Sequence, residues 1–273
     1  MGFVELIESG ALQPLKGSRI DSSADLSRPF VALNPSNIKL EVAGNERVQL
    51  VVVYTESGSG SMEIDLKTGA KLSLTELYLA DRFASVAVKA EESSECEVLS
   101  AVLCNANVAY ETRLLGRGAM AQFDGLFMAS EGQHATLSLT TRHEVADCNS
   151  RSLVKGVASA RSTGEFKGLV YVAPDAQRTN AEQQNRNIEI GGGRIQAKPQ
   201  LEIYADDVRC SHGATVGQAD EEALFYMRQR GINLADARRM LLEGFAQDVT
   251  LRCSVEAVCP LLAEAVAAKM LKM

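Results

Sequence analysis

The sequence predicts an all-β body followed by a small helical region, and three observations support this prediction. From residue 38 to about residue 203 the chain consists of short runs rich in β-branched and aliphatic residues, several of which alternate strictly between apolar and polar. Gly, Asn, Asp and Ser separate these runs. After Gly217 the pattern changes to helix-capping residues followed by apolar residues at helical spacing.

The β-rich runs leave two folds open. Typical runs are residues 48–54, 71–77, 85–89, 136–140 and 167–172. A β-sandwich is the usual fold for so many short strands. A parallel β-helix predicts the same pattern, because each rung contributes short strands that stack on the neighbouring rungs. The region would fill about seven rungs of 20-odd residues each, although no repeat of fixed length is visible.

Three helices are predicted after the β-rich body. Asp220 is the N-cap of the first helix, which ends at Gly231, and Asn233 is the N-cap of the second. The third runs from about Ser254 or Pro260 to Leu271. In the second helix an apolar stripe is expected to pack inside the helical domain; it comprises Leu234, Ala237, Leu241 and Phe245. The predicted division is an N-terminal segment (1–37), the β body (38–216) and a helical domain (217–273).

Composition excludes several classes of protein. The net charge of −7 argues against a nucleic-acid-binding protein, which needs a basic surface. No run approaches the roughly 18 apolar residues of a membrane span. The first residues lack the basic segment of a secretory signal, so a cytoplasmic protein without a membrane role is expected.

The cysteines and the absence of common motifs narrow the chemistry further. Six dispersed cysteines without a CxxC pair predict free thiols rather than a disulfide framework or a zinc finger. The chain has no P-loop, no GxGxxG, no GxSxG and no HExxH. The odd spacing of His134 and His143 places them on opposite faces of a strand, where hydrogen-bonded residues are expected rather than ligands. Cys96, Cys104, Cys253 and Cys259 are interpreted as structural thiols.

Cys210 and His212 form the strongest candidate site. They are two residues apart, so on an extended chain both side chains leave the same face. A thiolate and an imidazole together suit iron or zinc, or a thiol activated by a base. A buried cysteine beside a hydrogen-bonded histidine explains the pair equally well.

The block from residue 198 to residue 245 resembles the C-terminal core of SufD proteins, members of the SufB/SufD family. The resemblance rests on residues 198–217 (KPQLEIYADDVRCSHGATVG), 220–226 (DEEALFY) and 228–232 (RQRGI). Upstream, residues 148–151 (CNSR), 176–179 (AQRT) and 185–187 (NRN) are similar to the same family. The match is strong from about residue 133 to residue 248 and weaker before that.

The resemblance implies a right-handed parallel β-helix followed by a small C-terminal helical domain, and a scaffold for iron–sulfur cluster assembly rather than an enzyme. Members of the family act with a SufB paralogue and the ABC ATPase SufC, which supplies ATP hydrolysis. The family's functional histidine corresponds to His212, with Cys210 beside it as a second candidate ligand. The ATPase-docking region corresponds to Phe225, Tyr226, Arg228, Arg230, Gly231 and Ile232.

The resemblance also implies that no cofactor is tightly bound, that iron or a cluster is held transiently within the complex, and that the isolated chain forms a homodimer. The chain departs from bacterial SufD proteins in showing almost no helical domain before the β body. It also lacks recognisable SufB-type cluster cysteines, which favours SufD. Two other classes stay open: a structural interaction protein without cluster chemistry, and a β-helix enzyme acting on carbohydrate, which would need Asp and Glu on adjacent rungs.

Overall fold

Alternate strands of the chain build two parallel β-sheets in this computed structural model, which describes residues 3–15 and 25–273. Residues 1–2 and 16–24 of the predicted N-terminal segment lie outside the described residues. The strands are β1 (Gln13–Pro14), β2 (Phe30–Leu33), β3 (Asn37–Val42), β4 (Arg47–Tyr54), β5 (Gly58–Leu66), β6 (Lys71–Tyr78), β7 (Arg82–Ala90), β8 (Glu95–Val102), β9 (Ala106–Leu114), β10 (Met120–Ala129), β11 (His134–His143), β12 (Asn149–Ser159), β13 (Thr163–Val172), β14 (Asn180–Ile190), β15 (Arg194–Ile203) and β16 (Arg209–Gly217). The helices are α1 (Phe3–Glu8), α2 (Glu221–Gln229), α3 (Leu234–Thr250) and α4 (Cys259–Met270), with a 3-10 turn at Glu256–Val258.

The strand order is that of a parallel β-helix with two faces. Across the described residues, sheet A contains β1, β2 and then every even-numbered strand to β16, and sheet B contains the odd-numbered strands from β3 to β15. The chain therefore passes from one sheet to the other at each turn, and every pairing is parallel. This confirms the β-helix and excludes an antiparallel sandwich.

The rungs lengthen along the chain, which explains why no fixed repeat is visible in the sequence. In sheet A, Arg47 pairs with Lys71, 24 residues further on, and Lys71 pairs with Glu95 at the same interval. Nearer the C-terminal end, Asn149 pairs with Asn180, an interval of 31 residues. The earlier rungs thus agree with the 20-odd residues expected from the sequence, and the later rungs are longer.

The two sheets differ in how their outer faces are covered. Strands of sheet B such as β7 and β9 alternate strictly between buried and exposed residues, so their outer face meets solvent. Strands of sheet A such as β6 and β8 are buried on both faces over their second halves. Helices α3 and α4 cover this part of sheet A, where Val51, Leu77 and Leu126 share an apolar cluster with Leu242 and Leu262.

The predicted packing of α3 is partly wrong. Its buried positions are Ala237, Leu242, Ala246 and Val249, whereas Leu234 is exposed and Leu241 and Phe245 are only half-buried. The reason is that α3 packs against strands of sheet A rather than only against other helices. The buried side of α3, which faces sheet A, therefore differs from the apolar stripe that was predicted to contact other helices.

Polar contacts fix α3 on the sheet. The buried Lys155 ammonium donates to the Phe245 carbonyl at 3.0 Å and to the Asp248 carboxylate, and it lies 4.2 Å from the centre of the Phe245 ring. Arg252 just beyond α3 donates to the buried Asp124 carboxylate of β10 at 2.9 Å. Among the helices that the structure describes, none is long and apolar enough to span a lipid bilayer.

Candidate functional site

The candidate site lies at the C-terminal end of the β-helix, where the stack of rungs stops. β16 pairs with β14 on one side only, and β15 pairs only with β13, so both are edge strands. Most residues of β16 are exposed. In register, Cys210 lies beside Ala181 and His212 beside Gln183, and both of these β14 residues are buried in the lumen of the β-helix. Cys210 and His212 therefore share the inward side of the last rung, as the sequence predicts.

Cys210 is held against apolar neighbours. It is half-buried and packs on a cluster that includes Ala181 and Leu201. Burial raises the pKa of the Cys210 thiol, and a backbone hydrogen bond from Ala181 only partly opposes this. The group is therefore a protonated thiol at neutral pH, and it must lose its proton before it can bind a metal ion.

His212 is exposed, and its ring makes no hydrogen bond to any residue that the structure describes. The ring is therefore not engaged by this chain, and one of its nitrogens can bind a ligand. Throughout residues 3–15 and 25–273, no three His, Cys, Asp or Glu side chains converge as a metal site. Cys210 and His212 consequently supply at most two ligands, and a bound iron atom would need others from outside this chain.

Beneath His212, three amide side chains line the lumen, and the sequence had not predicted a role for any of them. Gln183, Asn185 and Asn187 occupy alternate positions of β14 and are buried. Asn185 and Asn187 bond to each other, and each also donates to a backbone carbonyl of a neighbouring strand, that of Val154 or Thr215. The signal for them was the recurrence of amides at every second residue of a predicted strand.

The amide of Gln183 differs from the two asparagines. Gln183 is 1 % exposed, yet neither its nitrogen nor its oxygen has a hydrogen-bond partner. A buried polar group without a partner costs about 1–3 kcal/mol, so such groups are rare in native proteins.

Helix α2 presents the predicted ATPase-docking residues to solvent. Asp220 accepts hydrogen bonds from the backbone of Glu222 and Ala223, which fixes the start of the helix. Gly231, at a φ of +86°, ends it with paired backbone bonds to the last turn. The side chains of Phe225 and Tyr226 are 63 % and 60 % exposed, so neither belongs to the hydrophobic core.

Two basic residues lie close in the chain to the aromatic residues of α2, and one of them contacts an aromatic ring. The Arg230 guanidinium lies 5.0 Å from the centre of the Tyr226 ring, and Arg228 is exposed in the last turn of α2. Ile232 is half-buried directly after Gly231. Helix α2 therefore carries an exposed surface in which aromatic and basic side chains are mixed.

Other residues singled out from the sequence have structural roles. Arg178 forms a two-pronged ion pair with Asp147 of the preceding rung, at 2.6 and 2.7 Å. His134 is exposed, whereas His143 is buried, so the predicted opposite orientation is confirmed. The Nε2 atom of His143 lies 2.8 Å from the Ser150 hydroxyl, and burial lowers the pKa of His143 to about 4. All six cysteines are free.

Comparison with known proteins assigns the chain to a family. The model of the SufBD core domain of the SUF system of FeS cluster assembly matches residues 32–245. The iron–sulfur cluster assembly protein SufD of Escherichia coli is 41 % identical over 140 residues, which are 51 % of this chain and 33 % of that protein. A SufBD family protein of iron–sulfur cluster assembly from Synechocystis is 33 % identical over 187 residues, 68 % of this chain and 34 % of the relative.

A plant relative widens the range of compartments. A chloroplastic Arabidopsis thaliana protein is 44 % identical over 103 residues, 37 % of this chain and 22 % of that protein. The cytoplasmic location expected from the sequence therefore stays a prediction. The chain spans about a third of the length of the E. coli and Synechocystis relatives.

Proposed function

Because the chain belongs to the SufBD core family of the SUF iron–sulfur cluster assembly system, we propose that it is a SufD-like assembly subunit rather than an enzyme. The observation that carries the proposal is the open end of the β-helix, where Cys210 and His212 lie on the inward side of an edge strand. Iron or a nascent cluster is the cargo of this site. No cofactor is held permanently.

The site is completed by a second chain. An imidazole and a thiol are both suitable iron ligands, but two ligands do not hold an iron atom firmly. Burial keeps the Cys210 thiol protonated, so His212 is the principal contributor from this chain. A SufB-like paralogue that stacks on the open end would bring the remaining ligands.

The edges of β15 and β16 also determine how the chain associates. Unpaired edge strands bind other strands unless something covers them. The isolated chain should therefore form a two-fold homodimer through this end, in place of the complex with the SufB-like chain. Light scattering at tens of micromolar protein tests this, because a monomer at that concentration contradicts the proposed role of the edges.

A SufC-type ABC ATPase is the proposed partner of α2. The exposed Phe225 and Tyr226 offer an apolar contact, and the exposed Arg228 and Arg230 add positive charge to the same segment, with Arg230 against the Tyr226 ring. Interfaces are enriched in aromatic residues and arginine, which supply most of the binding energy. In this arrangement the ATPase supplies ATP hydrolysis and the present chain transmits its consequences to the cluster site.

The test replaces His212 by glutamine in the complex with the SufB-like and SufC-type chains. Glutamine keeps a hydrogen-bonding amide but neither titrates nor binds iron well. His212→Gln should leave complex formation intact, as measured by gel filtration, and sharply lower iron and labile sulfide per purified complex. Cys210→Ser should lower them less. His134→Gln, at another exposed histidine, is the matched control and should have no effect.

A wild-type content of iron and sulfide in the His212→Gln complex would contradict the proposal. The chain would then be an interaction protein that supports the complex without touching the cluster.

A further inference from the structure

The unpartnered amide of Gln183 lies in a space that exists because residue 168 is a glycine. A Cβ atom at Gly168, on the opposite sheet, would lie only 2.3 Å from the Gln183 amide oxygen. The same Cβ would lie 2.7 Å from the Phe166 ring, which bounds this space on the side of sheet B. The glycine therefore lets a long amide side chain extend across the lumen, although the amide finds no hydrogen bond there.

The last rung limits which group could bond to this amide. The inward residues of β15 are Ile195, Ala197, Pro199, Leu201 and Ile203, and none carries a polar side chain. The inward residues of β16 are Cys210, His212, Ala214 and Val216. Among these inward side chains, the His212 imidazole alone is a strong donor and acceptor. His212 is also the residue paired in register with Gln183, on a strand about 4.8 Å away.

We propose that Gln183 is a positioning residue for His212: its amide hydrogen-bonds the imidazole when a partner chain covers the open end. In the uncovered chain the ring is exposed and hydrogen-bonds to water, which leaves the amide unpaired. The Ser152 hydroxyl on the other side of Gln183 is also paired with it in register but makes no hydrogen bond to its amide. When a partner excludes water from the last rung, a bond between Gln183 and His212 therefore satisfies both groups. The bond selects one tautomer of the ring and directs its other nitrogen toward the cargo. This inference rests on the proposed function of His212.

The test compares two lumen amides in the complex with the SufB-like and SufC-type chains. Gln183→Met keeps the length of the side chain without its polar atoms, and Gln183→Leu is a second variant of the same kind. Asn185→Leu is the matched control, because Asn185 is also buried on β14 but already has partners. In the monomeric chain, measured at concentrations too low for the proposed homodimer, Gln183→Met should leave the midpoint of thermal unfolding unchanged or raise it, whereas Asn185→Leu should lower it.

The specific readout is the nitrogen chemical shifts of the His212 ring in histidine-labelled complex. Gln183→Met and Gln183→Leu should change these shifts from those of one tautomer to a mixture, and Asn185→Leu should not. The ring signals of His134 and His143 serve as internal references. Iron and labile sulfide per complex should fall about threefold to tenfold in the Gln183 variants, which corresponds to the loss of one ordinary hydrogen bond.

Unchanged His212 shifts in both Gln183 variants would overturn the inference while leaving the proposed function of His212 intact. A midpoint of unfolding lowered as much by Gln183→Met as by Asn185→Leu would also overturn it, since the amide would then be structural. If the shifts change but His212→Gln retains wild-type iron, the coupling of the two residues stands and the assembly function fails.

Discussion

A buried carboxyl group should make the stability of this β-helix depend on pH in an unusual direction. Glu76 of β6 is fully buried in the lumen, where the Tyr78 and Tyr110 hydroxyls donate to its two oxygens at 3.0 and 2.7 Å. Burial outweighs these hydrogen bonds and raises the pKa of Glu76 from 4.5 to about 7. The folded protein therefore binds a proton at Glu76 more tightly than the unfolded chain does.

The magnitude follows from the two pKa values. Glu76 stabilises the folded state fully below about pH 4.5, and this contribution is lost as the pH rises toward about 7. At 1.36 kcal/mol per pH unit, the loss amounts to about 3 kcal/mol. His143 acts in the opposite direction, because its pKa is lowered to about 4 and its contribution is lost as the pH falls. Between about pH 4.5 and pH 6.5 the two effects oppose each other in the wild-type protein.

Glu76→Gln separates the two effects. The amide keeps one oxygen to accept from a tyrosine hydroxyl and gains an N–H group that can donate to the other, so the packing is preserved. The free energy of unfolding of the variant, relative to the wild type, should increase by about 3 kcal/mol between about pH 4.5 and pH 8. Urea unfolding monitored by circular dichroism at several pH values measures this difference. A difference that is the same at every pH would refute the reasoning.

Three further predictions concern docking and packing. Phe225→Ala should weaken binding of the SufC-type ATPase by at least about 2 kcal/mol by calorimetry; unchanged affinity with an intact fold would place the docking surface elsewhere. Lys155→Met should cost about 2 kcal/mol of stability because the hydrogen bonds of a buried cation are lost, and an unchanged unfolding midpoint would show that this cation does not hold α3. Gly156→Ala should cost about 1–3 kcal/mol, since its Cβ would lie 2.1 Å from the buried Phe127 ring. Gly213→Ala, where a Cβ meets nothing within 4 Å, is the control and should be neutral.

The sequence predicts the β-rich body and the helices, but it does not by itself select the β-helix. Alternation of apolar and polar residues is the same in a sandwich and in sheet B, because both have one solvated face. The choice depends on parallel pairing between residues 17 to 31 positions apart, and these intervals vary too much to show as a repeat. Only the resemblance to SufD proteins indicated the β-helix before the structure did.

The sequence predicted one part of the candidate site, the pair Cys210 and His212, and missed another, Gln183. The spacing of Cys210 and His212 places them on one face, and the register confirms it. The role of Gln183 depends on which side chains neighbouring rungs bring together, and spacing within a single strand does not contain that information. The packing of α3 was predicted incorrectly for a similar reason: an apolar stripe shows that a helix has a partner but not whether the partner is a helix or a sheet.

The position of α3 and α4 has a consequence for synthesis of the protein on the ribosome. The outer face of sheet A carries apolar residues from strands as early as β4, yet the helices that cover it come from residues 234–270. Gln49, for example, donates to the carbonyl of Ser254, 205 residues further on. A nascent chain can stack its rungs in order as they emerge, but this face stays exposed until those last residues have left the exit tunnel. Chaperones that bind apolar surfaces should therefore associate with the nascent chain throughout translation of the β-helix and dissociate once α4 has docked.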